Sequence, residues 1–178
     1  MEAEQPVTFR DVRHDPAATI AGLQDNRNPI WLILDGLTDP RNVGSVFRLA
    51  DAARVQGIIL IRMDNIMQSS KLIKVARSTT QLVPTIYYKD WNTFKVPEPL
   101  LKMIALEWTN QSVPYSKLSL DWPLGLVIGN EQSGISPEGL QHCQQSIHIP
   151  MLGLNSSMNA SMAAGIAVYG LLERGKFL

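Results

Sequence analysis

Three short stretches hold the residue types able to do chemistry. The first is Asn42-x-Gly44-x-x-x-Arg48. The second is Gly129-Asn130-Glu131. The third runs from Ile147 to Met162, through Ile149-Pro150-Met151 and on to Ser157-Met158-Asn159-Ala160-Ser161. They offer a guanidinium, a carboxylate, amides, hydroxyls and glycine backbone. Several familiar chemistries lack their parts. No Gly-x-Gly-x-x-Gly follows the first apolar run, and no Walker A sequence occurs. His14, His142 and His148 do not pair with acids or cysteines at ligand spacing, so no metal site is expected. No base stands beside Ser133 or Ser157, as a serine nucleophile would require. Each stretch also has a plain reading. Asn42 fits a helix cap, and Gly129 and Gly134 fit simple turns. Arg48 is harder to dismiss, because it sits among Val46, Phe47, Leu49 and Ala50.

Apolar strands must position these stretches. Ile30–Leu34 is a continuous apolar run, as a strand buried on both faces requires. Asn42 then opens a helix to about Val55, and Gly57–Ile61 is a second buried strand. Strand, helix and strand in about thirty residues make a βαβ unit. A polar helix over 70–78 carries Lys71, Lys74 and Arg77. Leu82–Tyr88 is a third strand, weakened by Pro84, and Met103–Leu106 a fourth. Residues 91–102 are broken by Pro97 and Pro99. Residues 109–122 form a polar connection, with an extended piece near Leu118. Leu124–Ile128 ends in Gly129. Ser136-Pro137-Glu138 opens a helix by cap, proline and first-turn acid. Ser146–Ile149 is the last strand. A final helix runs from about Ser157 to Arg174, with Met158, Met162, Ile166 and Tyr169 on one face and small residues on the other. A short helix is also expected at Pro16–Leu23. The order predicts an α/β fold with a mainly parallel sheet and helices on both faces. Polar groups crowd the strand ends, where such sheets place ligands.

Composition narrows the setting. A chain of 178 residues fits one domain, here 29–178 behind an N-terminal extension over 1–28. Cys143 is the lone cysteine, so no intrachain disulfide forms, which fits a reducing, cytoplasmic setting. The N-terminus is acidic and polar, unlike a signal peptide, and no apolar run reaches membrane-span length. Sixteen basic residues balance sixteen acidic ones, which argues against nucleic acid as partner. Distribution argues the other way. Arg41, Arg48, Arg54, Arg62, Lys71, Lys74 and Arg77 face only Asp51 and Asp64 in one stretch. That is either a solvated face or one turned to nucleic acid.

Taken in order and spacing, the three motifs resemble the SpoU (TrmH) family of the SPOUT class, RNA ribose 2′-O-methyltransferases that use S-adenosylmethionine. The similarity spans roughly 29–172, and Ile-Pro-Met followed by Ser-Met-Asn-x-Ser is its most specific part. The resemblance implies a C-terminal deep trefoil knot and a homodimer. It also implies a cofactor pocket walled by Leu106, Gly129, Asn130, Ile149, Met151 and Met158, chiefly through backbone. It assigns the chemistry to Arg48, with Asn42, Glu131, Ser157 and Asn159 around it. The methyl donor is already activated, so no metal is required. Arg48 is either a neutral base or a charged clamp on the neighbouring phosphate. Phosphate contacts fall to Arg41, Lys71, Lys74 and Arg77. The RNA is tRNA or rRNA, with analogy favouring tRNA; the alternative is a non-catalytic RNA-binding or assembly protein. Gln132-Ser133 stands where many relatives carry glycine, and Met158, Ala160 and Met162 replace commoner Leu and Val. Many relatives also add an RNA-binding domain or tail.

Overall fold

The computed structural model describes residues 27–99, 101–119 and 121–178. The expected helix at Pro16–Leu23 lies outside them. Seven strands form one sheet: β1 (Asn28–Asp35), β2 (Val55–Ile61), β3 (Thr85–Tyr88), β4 (Lys102–Leu106), β5 (Val113–Pro114), β6 (Leu124–Gly129) and β7 (Gln145–His148). Their order is β3-β2-β1-β6-β4-β7-β5, and every pairing is parallel. The helices are α1 (Pro40–Ala52), α2 (Ser70–Ala76), α3 (Thr79–Leu82), α4 (Pro137–Gln141) and α5 (Ala160–Arg174).

Strand alternation divides the core in two. Ile30, Leu32 and Leu34 of β1, Ile58 and Leu60 of β2, and Leu126 and Ile128 of β6 face α1, α2 and α5. Trp31, Ile33, Ile59, Ile61 and Val127 face the other way, toward Trp91, Phe94, Leu140 and Cys143. Burial on both faces explains why β1, β2 and β6 are unbroken apolar runs. The second face is covered mostly by irregular chain, with α4 as its only helix among the described residues.

The first strand goes outward to β2 and β3, and the chain then crosses to β4, beyond β6. The topology therefore reverses around β1 and β6. Registers bring the strand ends level: Asp35 pairs with Gly129, and Leu106 with both Ile128 and Ile147.

Several expectations shift in detail. Helix α1 starts earlier than expected. Asp39, not Asn42, is its cap, accepting from Arg41 N, and Pro40 holds the first position. Leu82 ends α3, and Pro84 lies before β3, so that strand is shorter than expected. Helix α5 begins at Ala160, with Asn159 as cap. The Ser136 cap is as expected, accepting from Gly139 N. The predicted apolar face of α5 is the surprise. Met162, Ile166 and Tyr169 are exposed, while Ala164, Ala167, Val168, Leu171 and Leu172 fill the core. Ala164 and Ala167 let α5 settle close to the core, Val168, Leu171 and Leu172 fill it, and Met162, Ile166 and Tyr169 point outward.

Candidate functional site

Four strand ends wall one cavity of about 580 Å³. Thr38, Asp39 and Asn42 come from the segment after β1, and Leu106, Glu107 and Trp108 from β4. Ile128 through Gln132 and Gly134 come from the end of β6 and the loop after it, and His148, Ile149, Met151 and Ser156–Ala160 from the end of β7 and the chain after it. All six predicted cofactor residues, Leu106, Gly129, Asn130, Ile149, Met151 and Met158, line it. So do Asn42, Glu131, Ser157 and Asn159.

The three motifs are tied together by one directional hydrogen-bond chain. Glu131 Oε1 accepts from Asn42 Nδ2 at 2.8 Å. Asn42 Oδ1 accepts from Asn159 Nδ2 at 2.8 Å. Asn159 Oδ1 accepts from Ser161 N and Met162 N and so caps α5. A carboxylate only accepts, so it fixes which way both amides point. The Glu131 carboxylate also takes Thr38 N at 3.2 Å and Asp39 N at 3.3 Å, at the positive end of α1. Burial pushes the Glu131 carboxyl upward. Hydrogen bonds from Asn42 and from backbone at Glu131, Thr38 and Asp39 outweigh it and hold the group below the usual glutamate range. Asn42 is 7% exposed and belongs to this chain rather than to a cap.

The floor depends on Gly129. A Cβ there would come within 2.2 Å of Ile135 N and 2.3 Å of the Gly134 carbonyl carbon. Backbone alone fits there, because the chain at Gly134 and Ile135 folds back directly against it. Asn130 is a loop builder. Its Oδ1 accepts from Gln132 N and Ser133 N, and its Nδ2 donates to Gly36 O.

Arg48 is exposed, makes no hydrogen bond or ion pair among the described residues, and is not in the cavity wall. It shares its side of α1 with Arg41, seven residues earlier and about 10 Å along the axis. The Arg41 guanidinium forks onto Asp39, with Nη2 at 2.8 Å from Oδ2. Lys71, Lys74 and Arg77 are all exposed on or just beyond α2, at three-residue spacing.

Some of the site was not foreseen. Glu107 follows Leu106, and its carboxylate accepts from Ile135 N at 3.0 Å and Trp108 N at 3.1 Å, pinning the loop after β6 to β4. Asp35 is fully buried at the end of β1. Its Oδ1 accepts from Arg62 Nη2 at 2.8 Å, and its Oδ2 from Ser136 N and Oγ at 2.8 and 2.6 Å. An acid directly after an apolar strand was the available signal for both. His148 stacks on Trp108 and shares a hydrogen bond with Ser112. Among the described residues no three His, Cys, Asp or Glu side chains gather as metal ligands.

An all-parallel sheet with its pocket at the carboxyl ends, where strand order reverses, defines an α/β domain built to hold a ligand there. Residues 29–169 match the model of the SpoU rRNA Methylase family, and the chain belongs to that family. It is 32% identical over 148 residues to a TrmH family protein of Staphylococcus saprophyticus named as a tRNA/rRNA methyltransferase, covering 83% of this chain and 59% of that protein. The chain thus spans about three fifths of the length of such curated relatives. Its fold matches the A. aeolicus TrmH/SpoU tRNA modifying enzyme with a TM-score of 0.72 at 21% identity, over 89% of this chain and 83% of that one. It also matches an rRNA methyltransferase from Sinorhizobium meliloti solved with AdoMet bound, with a TM-score of 0.69 at 25% identity, over 85% and 60%.

Proposed function

We propose that residues 29–178 form an S-adenosylmethionine-dependent methyltransferase domain acting on a ribose 2′-hydroxyl of tRNA or rRNA in the cytoplasm. One observation carries this reading. Residues after β1, β6 and β7, which the family motifs single out, line one cavity and are locked together by the Glu131–Asn42–Asn159 chain.

The cavity suits the cofactor. Leu106, Ile149, Met151 and Met158 offer apolar surface for an adenine and a methionine chain, and Gly129 offers bare backbone. S-adenosylmethionine supplies a methyl group already activated on sulfur. This chain's residues then align the ribose hydroxyl with it, the step where positioning lowers a barrier most. Ser157, exposed on the cavity wall, and Asn159, fixed by Asn42, orient the ribose. Glu131 holds the amides in register. Arg48 grips the phosphate beside the reacting ribose, for which a free guanidinium fork is suited, or takes the hydroxyl proton. Lys71, Lys74, Arg77 and, in competition with Asp39, Arg41 contact the RNA backbone.

The proposed assembly is a homodimer. Arg48 lies outside the cavity of its own chain, and Met162, Ile166 and Tyr169 present uncovered apolar surface. A second copy would cover the one and complete the other. The fold is further proposed to be knotted. After β7, near one sheet edge, the chain recrosses the ends of β4 and β6 until Asn159 meets Asn42, and threading there would form the trefoil.

The test is transfer of labelled methyl from S-adenosylmethionine to total tRNA and rRNA, with mapping of 2′-O-methyl sites. Arg48→Ala is expected to keep cofactor affinity by titration calorimetry and lose transfer. Near-normal turnover of that variant would remove Arg48 from the reaction. No cofactor binding by the parent at high micromolar concentration would favour a non-catalytic assembly protein.

A further inference from the structure

Trp108 is exposed to 57%, whereas Trp31 and Trp91 are at 7% and 4%. An indole so exposed is usually loose, but this one is braced. His148 stacks on it, with ring centroids 4.9 Å apart and planes 15° from parallel. The imidazole is in turn held through Nδ1 at 2.9 Å from Ser112 Oγ. One face of the indole is therefore occupied and fixed, while the residue as a whole stays exposed.

That open surface joins two spaces. Trp108 lines the cavity described above, and also a second one of about 470 Å³ with Met151, Gly153, Leu154, Asn155 and Ser156. The second cavity has no charged residue in its wall. It combines a rigid aromatic plane, apolar flanks, and an amide and a hydroxyl that make no hydrogen bond among the described residues. Phosphate, carboxylate and ammonium groups find no counter-charge there. A flat, uncharged heterocycle with donors and acceptors on its edge matches every part. Single-stranded RNA is read in this way, by unstacked bases laid on aromatic rings with amide and hydroxyl groups at their edges.

We propose that Trp108 and the adjoining cavity receive an unpaired nucleobase of the RNA substrate, stacked on the indole and edged by Asn155 and Ser156. The proposal rests on the reading that the chain methylates RNA. A ribose presented in the first cavity must carry or adjoin a base, and the second cavity shares Trp108, Met151 and Ser156 with it. The target nucleotide is thereby expected in a loop or at an end, where bases leave the stack at least cost.

The experiment titrates short single-stranded RNA into protein loaded with S-adenosylhomocysteine, following tryptophan fluorescence. The parent, Trp108→Phe and Trp108→Ala are compared. Quenching is expected in the parent and absent in both variants. RNA affinity should fall roughly 5- to 150-fold in Trp108→Ala and largely survive in Trp108→Phe, with cofactor affinity by calorimetry unchanged in both. Weakened cofactor binding in Trp108→Ala overturns the proposal, because the indole would then belong to the adenosine site. Unchanged RNA affinity overturns it, as does a change in sedimentation, which would make the face a contact between copies. A parent that transfers methyl to RNA alongside an unaffected Trp108→Ala defeats only this inference; a parent that neither binds nor methylates RNA defeats the functional reading as well.

Discussion

At the scale of single residues, Asn42 shows how a local reading and a spatial one diverge. By sequence it is a plausible cap, but Asp39 takes that role three residues earlier. The Asn42 amide then serves Glu131 and Asn159, which are 89 and 117 residues away. Replacing it with alanine removes both hydrogen bonds at once, one of them to a carboxylate, and leaves Glu131 and Asn159, themselves exposed, to water. Asn42→Ala is expected to lose about 1–3 kcal/mol of stability, read by urea denaturation. Turnover should fall more than cofactor affinity does, because the motifs lose their mutual register. Equal losses in kcat and cofactor affinity would point to general loosening instead. Glu131 supplies a pH signature. Its folded-state pKa lies below the usual range, so the native state binds this proton less readily than the unfolded chain. Its contribution is full above the ordinary glutamate range and is lost as pH falls through the lowered value. The stability gap between the parent and Glu131→Gln should therefore narrow on acidification; a gap that stays constant with pH would exclude ionisation as its source.

At the scale of elements, the site depends on how strand ends are fixed. Asp35 links β1 to Arg62 beyond β2 and to Ser136 at the start of α4. Asp35→Ala strands the buried Ser136 donors, which leaves the start of α4 unanchored. The expected cost is about 3 kcal/mol, at the low end for a broken buried pair because Arg62 is 43% exposed. A loss below about 0.5 kcal/mol, the range of neutral surface changes, would make the network ornamental. Gly44 does the same for the helices, since its added Cβ would sit 2.9 Å from Val75 Cβ and 3.1 Å from Leu72 O on α2. The long buried strands were legible because β1, β2 and β6 are apolar without interruption, and α4 because Ser136-Pro137-Glu138 carries its own signals. The edges were not. β5 is two residues long, and β3 is set off by Pro84. The outward face of α5 was hidden too, since periodicity locates a stripe of large residues without saying whether the core or a partner will cover it. Convergence of the three motifs came from family resemblance, whereas Glu107, Trp108 and Asp35 needed the strand registers that bring distant ends level.

At the scale of the whole molecule, the decisive question is what covers α5. Monomers seldom leave a contiguous apolar stripe in water without use. Met162 is 62% exposed, Tyr169 42% and Ile166 39%, at spacings of four and three along one helix, which places them on a single face. Gly165 beside them has nothing within 4 Å of its added Cβ, so the surface is smooth enough for close approach. Arg48 meanwhile has no hydrogen-bond or ion-pair partner among the described residues. Both loose ends are explained together if each copy presents Arg48 to a site shared with its neighbour. Ile166→Glu with Tyr169→Ser should then leave the fold intact, because neither side chain is in the core, and shift sedimentation from dimer to monomer. Methyl transfer should fall with it, and mixing that variant with Arg48→Ala should restore some activity if hybrid dimers form with one complete site. Persistence of the dimer would move the interface elsewhere, and a fully active monomer would mean that Arg48 reaches the ribose from within its own chain.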